Sequence, residues 1–272
     1  MRIGILQFSV EKGNRQANFQ TVHSMTESAM CAQTAPIVLV LPELWSTGYA
    51  LENAAELATP FGNGDAEFLG RIARKYRVSF AGGSVLASVP LFATASETAS
   101  GRHLYFNRSQ VIGSDGSYLA AYDKIHLFKP MGESRYLMRG NAPVWYNLCG
   151  MRCASVICYD IRFCELIRRL AVGGAEMLFV SAEWPIERIA HWEALLRARA
   201  IENQMYIAAC NRCGITDGVR FGGHSMIIAP DGTVLAQAGD DEAVITAEVD
   251  SASVASIRDG LPVFSDRVPE LY

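Results

Sequence analysis

Apolar positions along this chain follow two rhythms. Short apolar runs bounded by turn residues alternate with longer stretches in which apolar positions recur every three or four residues. The runs at 3–8, 37–41, 78–82, 104–112, 154–158, 177–181, 205–210, 226–229, 234–237 and 244–249 predict strands. The longer rhythm predicts helices over about 16–32, 65–76, 160–171, 190–203 and 251–259. Residues 37–41 are all apolar, as in a strand covered on both faces. In the fourth helix, Ala194, Ala198 and Ile201, continued by Met205, recur at helical spacing and predict a buried stripe. Ser114-Asp115-Gly116 and Pro230-Asp231-Gly232 signal hairpins. Strands outnumber helices and alternate with them in each half, so the pattern predicts an α/β fold, a mixed sheet with helices on its outer faces. Residues 84–101, rich in small side chains, read as strand plus loop rather than as a boundary. With no linker and no solenoid repeat, residues 1–272 read as a single domain.

Composition narrows the function classes. Half of the 272 residues are hydrophobic and 19% are charged, which supplies ample core. The net charge of −4 argues against a nucleic-acid partner, and the basic group at 71–77 reads as a solvated helix face. No apolar run approaches the ~20 residues of a membrane helix, so no membrane partner is expected. The N-terminus enters a strand without the features of a signal peptide, and the seven cysteines form no regular framework. Both point to a cytoplasmic protein. The sequon Asn107-Arg108-Ser109 then has no consequence.

Three segments carry candidate chemistry. Residues 155–163 read as a buried strand that ends on Cys158 and turns at once into a helix. A cysteine at such an elbow can expose its sulfur beside free backbone N–H groups, and helix N-termini favour the thiolate. Leu41-Pro42-Glu43 places a carboxylate just past another strand, and Asp123-Lys124-Ile125-His126 places an amine near the end of a third. Ligands of layered α/β proteins gather beyond strand ends. A carboxylate, an amine and a thiol gathered there would form a base, an oxyanion stabiliser and a nucleophile.

These three motifs, in this order, resemble the nitrilase superfamily of carbon–nitrogen hydrolases. Gly132-Glu133-Ser134, Ala182-Glu183-Trp184-Pro185, Arg197 to Gln204, and Gly222 to Gly232 extend the likeness over nearly the whole chain. The resemblance implies an αββα sandwich of two face-to-face sheets that assembles as a homodimer, with no cofactor or metal. It implies that Cys158 attacks an amide carbonyl while Glu43 takes the thiol proton, passes it to the departing ammonia and later activates water. Lys124 and the backbone N–H of Tyr159 would hold the oxyanion, and Glu133 would pair with Lys124. Either a dry site that raises the carboxylate's pKa or a lysine that favours thiolate would let Glu43 serve as base; the sequence leaves both open. The segments around Trp184 and His191 look most like small single-domain amidases, including ω-amidases acting on 2-oxo-dicarboxylic acid monoamides. N-carbamoyl amines and nitriles are alternative substrates of the same trio. Trp45, Tyr49, Tyr159 and Trp184 are candidate pocket walls, and Arg135, Arg162 or His191 would meet a substrate carboxylate. Cys164 stands where the family usually has proline, which should loosen the elbow slightly.

Other readings compete. His191-Trp192-Glu193 with Cys210-Asn211-Arg212-Cys213 resembles the signature of zinc deaminases, in which His191, Cys210 and Cys213 would hold the metal and Glu193 would move the proton. Ala209 replaces the proline of that signature, and Cys210 ends a strand instead of opening a helix. A redox role for Cys210 and Cys213 fails on the same ground, leaving two packed thiols. A binding module on a dead hydrolase fold would release no ammonia. His126 is expected to share a strand face with Lys124 and support it. Asp160 is expected to cap the turn after Cys158 and Arg162 to pair with a buried carboxylate.

Overall fold

A computed structural model describes residues 1–31, 37–91 and 103–271. The first six strands are β1 (Arg2–Gln7), β2 (Ile37–Val40), β3 (Thr59–Pro60), β4 (Val78–Pro90), β5 (His103–Ile112) and β6 (Tyr118–Asp123). The next four are β7 (Trp145–Leu148), β8 (Met151–Ile157), β9 (Met177–Ala182) and β10 (Tyr206–Asn211). They are followed by β11 (Ile215–Thr216), β12 (Val219–Arg220), β13 (Met226–Ile228), β14 (Val234–Gln237) and β15 (Ala243–Glu248). The α-helices are α1 (Arg15–Met30), α2 (Ala54–Leu57), α3 (Asn63–Tyr76), α4 (Glu133–Tyr136), α5 (Cys164–Val172), α6 (Ile189–Asn203) and α7 (Ser251–Gly260).

Two mixed sheets result. One has the order β15-β1-β2-β4-β5-β6 with β3 beside β4, and the other β14-β13-β10-β9-β8-β7. In each, the central strands run parallel and the outer ones antiparallel. Strand alternation sorts the core into three layers. Ile3, Ile5, Val38 and Val40 of the first sheet meet Met177, Phe179, Ala208 and Cys210 of the second. Leu6, Leu39 and Phe80 face Val22, Leu69 and Ile72 on α1 and α3. Val156, Leu178 and Ile207 face Ile167 and Leu170 on α5 and Trp192 and Leu196 on α6. This is the four-layer αββα arrangement.

Three details differ from the sequence pattern. The strand expected over 78–82 runs on to Pro90, because Gly82 and Gly83, with φ of +79° and +81°, form a bulge that bends the strand without ending it. A Cβ on Gly83 would lie 2.7 Å from that of Leu41. The stretch 84–101 is strand as far as Pro90, and its part from 92 lies outside the described residues. On α6, Ala194, Ala198 and Ile201 face outward, while Trp192, Leu196, Arg199, Ala200 and Asn203 are buried. Met205 is buried, but it lies beyond the helix. Finally, the helix expected over 160–171 is split: a 3₁₀ turn at Cys158–Arg162, extended Phe163, then α5 with Cys164 first.

Candidate active site

The site lies where strands of both sheets end on the same side. Pro42 has no N–H to continue β2, so the chain leaves the sheet there and Glu43 follows. The Glu43 N–H donates to the Ala182 carbonyl at the end of β9, at 3.4 Å, which ties the two sheets together. β6 stops at Asp123, and the Lys124 N–H is held by the Asn107 carbonyl at 2.9 Å. β8 delivers Cys158 with φ +48°, a left-handed conformation unusual for a side chain with a Cβ. Such a residue stores about 1–3 kcal/mol and persists only where its surroundings fix it.

Two anchors fix this elbow. Asp160, fully buried, accepts the Ile157 N–H at 3.0 Å and the Tyr122 hydroxyl at 2.8 Å. It also accepts the His126 N–H at 3.0 Å and lies 2.8 Å from His126 Nδ1. Asp160 thus caps the turn and binds the segment after Lys124 to the segment after Cys158. Arg199, from α6, donates to the carbonyls of Ile161 at 3.0 Å and Arg162 at 3.2 Å, clamping the turn's far end.

Glu43, Lys124, Glu133 and Cys158 converge. Lys124 Nζ lies 2.6 Å from Glu43 Oε1 and 2.7 Å from Glu133 Oε1, and all three side chains are fully buried. The Glu43 carboxylate also faces the Cys158 thiol closely enough to raise its pKa. Asn107 Nδ2 donates to Glu43 Oε1 at 2.8 Å, and the Glu183 N–H donates to Glu43 Oε2 at 3.0 Å. The Tyr49 hydroxyl lies 2.9 Å from Glu43 Oε1 and 2.6 Å from Glu133 Oε1, and its one proton serves either. The Phe128 N–H donates to Glu133 Oε2.

Electrostatics follow from burial and charge count. Burial alone would favour a neutral Lys124, yet Glu43 and then Glu133 hold its pKa well above the usual lysine range. Burial raises the Cys158 thiol well above its ordinary range, Glu43 adds to that, and Lys124 opposes it. Burial and then Glu133 keep Tyr49 protonated, as a donor. Two carboxylates and one ammonium already leave the cluster at −1, so a resting thiolate would make it −2. The arrangement therefore favours a thiol that loses its proton to Glu43 as it attacks.

Cys158 opens into a narrow cleft lined by Phe128, Tyr159, Arg162, Glu183, Trp184, Pro185 and Arg188. Trp184 and Tyr159 thus stand at the cleft. Tyr159 is the second residue of the 3₁₀ turn, and the first N–H groups of a helical turn lack partners within it. Trp45 is not a wall: it is buried and stacks on Phe19, with centroids 5.4 Å apart, in the layer beneath α1 and α3. Tyr49 acts through its hydroxyl inside the carboxylate cluster instead of as an apolar wall. Arg135 is exposed. Among the described residues Arg162 pairs with no carboxylate; its guanidinium lies over the Trp184 ring at 4.6 Å and donates to exposed His191 Nδ1 at 3.4 Å.

His126 does not support Lys124. The chain has left β6 by then, so alternation no longer applies, and His126 binds Asp160 and stacks on Phe163 at 3.6 Å. The deaminase set is not assembled either. Glu193 is engaged with His224 Nδ1 at 2.6 Å, and Cys210 donates to the Leu6 carbonyl within the core between the sheets. Cys213 is buried, with its thiol raised to about 11 mainly by burial. Asn107 is fully buried against Glu43, which explains the sequon as part of the site.

Residues 2–259 match the model of the carbon–nitrogen hydrolase family. The chain belongs to the carbon–nitrogen hydrolase family. It is 39% identical to 2-oxoglutaramate amidase of Bacillus subtilis (strain 168) over 99% of this chain and 98% of that one. It is 33% identical to the chloroplastic omega-amidase of Arabidopsis thaliana, over 99% of this chain and 73% of that one. Among solved structures, Nit3 of Saccharomyces cerevisiae, a member of branch 10 of the nitrilase superfamily, superposes with a TM-score of 0.83 at 27% identity. That match covers 97% of this chain and 94% of Nit3.

Proposed function

We propose that this chain is a cytoplasmic thiol amidohydrolase that cleaves the ω-amide of a small 2-oxo-dicarboxylic acid through a Cys158 thioester. The observation that carries this reading is that one buried carboxylate, Glu43, lies 2.6 Å from the Lys124 ammonium and beside the Cys158 thiol, whose pKa it raises. Cys158 Sγ bonds to the amide carbon as its proton passes to Glu43. Two of the three Lys124 N–H groups go to Glu43 and Glu133, which leaves the third for the developing oxyanion, together with the Tyr159 N–H. The intermediate collapses with cleavage of the C–N bond, and the nitrogen leaves as ammonia with the proton from Glu43. Water, deprotonated by Glu43, then attacks the thioester and frees the acid and the thiol.

The acyl group is read from charge. Arg162 and Arg188 both line the cleft, and neither forms an ion pair with a carboxylate among the described residues. Burial and then the charge of Arg188 lower the pKa of Arg162, so the pair repels itself until an anion arrives. A substrate carboxylate fits that need. The 2-oxoglutaramate and omega-amidase relatives support the same class. Arg162→Ala and Arg188→Ala should each raise KM for 2-oxoglutaramate ~10–100-fold, the typical weight of a charge-assisted hydrogen bond. KM for neutral butyramide should change less than about threefold, as it lacks the charged partner. Equal losses on both amides would remove the arginines from acyl recognition.

A further inference from the structure

Glu183 is a second carboxylate in the cleft that the reaction above leaves unused. It follows β9 as Glu43 follows β2, and it is 1% exposed. Its Oε2 accepts from Arg212 NH1 at 3.0 Å. Arg212, fully buried, is held in turn by the carbonyls of Val10 and Cys213, the Thr216 hydroxyl and the Phe221 ring. The carboxylate is therefore clamped through one oxygen. The other, Oε1, is buried and has no hydrogen-bond partner among the described residues, although Glu183 lines the cleft with Cys158. A buried acceptor left unpaired costs about 1–3 kcal/mol, more when charged, so an unpaired Oε1 on a residue that lines the substrate cleft points to a donor on the substrate.

We propose that Glu183 recognises the leaving nitrogen: Oε1 accepts a hydrogen bond from the substrate –NH₂, so the site selects carboxamides over the corresponding esters. The placement fits, because the Glu183 backbone N–H binds the same Glu43 carboxylate that the thiol engages. A carboxamide nitrogen carries two donors, whereas an ester oxygen carries none and would set lone pairs against a carboxylate. The product carboxylate would face the same repulsion, which favours its release. Glu183 takes no proton in this role; the nitrogen still leaves with the proton from Glu43. The inference rests on the thiol-hydrolase reading, and its test separates the two.

The probes are succinamate and monomethyl succinate, which share an acyl group and differ at the leaving atom. In Glu183→Gln the Arg212 donor requires the amide oxygen, so the –NH₂ turns to the cleft and a donor replaces an acceptor. For this variant kcat/KM on succinamate should fall ~10–100-fold, while that on the ester should hold or rise, because the –NH₂ removes the repulsion that the ester oxygen met. Equal losses on both would make Glu183 a structural partner of Arg212 and overturn the inference. Wild-type enzyme gives a second arm that does not depend on how the variant folds. Burial, opposed by Arg212, raises Glu183 to about 7. Above that pH Oε1 is a free acceptor, and below it a proton occupies the carboxyl. The amide-to-ester ratio of kcat/KM should therefore fall by about tenfold as pH drops from about 8 to about 6. Proton supply from Glu43 to the nitrogen would push the ratio the other way. A flat or rising ratio, with the ester still hydrolysed, overturns the role of Glu183 alone. Wild-type enzyme that cleaved neither probe would overturn the hydrolase reading and this inference with it.

Discussion

Cys158→Ala is expected to cut ammonia release from 2-oxoglutaramate by ~10⁴-fold or more while the protein remains folded. Among the described residues that line the cleft, Cys158 carries the strongest nucleophile toward the carbonyl carbon. Water held there would lack both its nucleophilicity and its proton path to Glu43. The fold should tolerate the change because, among the described residues, no side-chain hydrogen bond of the thiol holds the elbow, and Glu43 keeps Lys124, Asn107 and the Glu183 N–H. The strained φ of +48° remains in the variant, so the unfolding free energy should move by less than about 1 kcal/mol. Turnover at the wild-type rate in the alanine variant would remove Cys158 as nucleophile.

Lys124→Met should damage both activity and stability. Activity loses an oxyanion donor, worth ~10²–10³-fold in kcat by itself. Stability suffers because Glu43 and Glu133 were each bonded to the lysine through Oε1 and are left facing one another in a buried site. Removing one member of a buried ionic cluster typically costs about 3–5 kcal/mol. The pH dependence has a definite sign. In the variant, repulsion and burial raise a carboxyl pKa above its unfolded value, so the folded state binds more protons than the unfolded one. Stability of the variant relative to wild type should therefore recover as pH falls from about 8 to about 5. In wild type the raised pKa of Lys124 gives a contribution that is complete at neutral pH and fades only as pH climbs through the lysine range. Denaturant unfolding of both proteins across that pH window measures the difference. A deficit independent of pH would contradict the shared-lysine arrangement.

The parts legible in the sequence are those set by strand ends. A five-residue apolar run halted by proline placed Glu43, and a buried strand meeting a polar turn placed Cys158. Both signals come from backbone physics and survive folding. The same signal was present at Glu183, a carboxylate directly after the buried run 177–182, and it would have found that residue too. The outward stripe of α6 shows what periodicity alone misses. Trp192, Leu196 and Ala200 form a second stripe at the same spacing, and bulk decides between them, because larger side chains remove more apolar area from water. Arg199 and Asn203 share that buried face because backbone carbonyls of the elbow and of the helix itself satisfy them. Trp45 looked like a wall for its closeness to Glu43 in sequence, but the left-handed turn at Leu44 separates the two environments. Asn107, Arg188 and Tyr49 gained their roles only when distant segments met, and no local pattern marks such meetings.

The most direct test is to quench wild-type enzyme with acid during turnover of 2-oxoglutaramate and to map modified peptides by mass spectrometry. The account predicts an acyl group carried as a thioester on the peptide containing Cys158, formed within the first turnover and absent in Cys158→Ala. Rapid ammonia release with Cys158 unmodified at every time point, or an acyl group found on another residue, would contradict it.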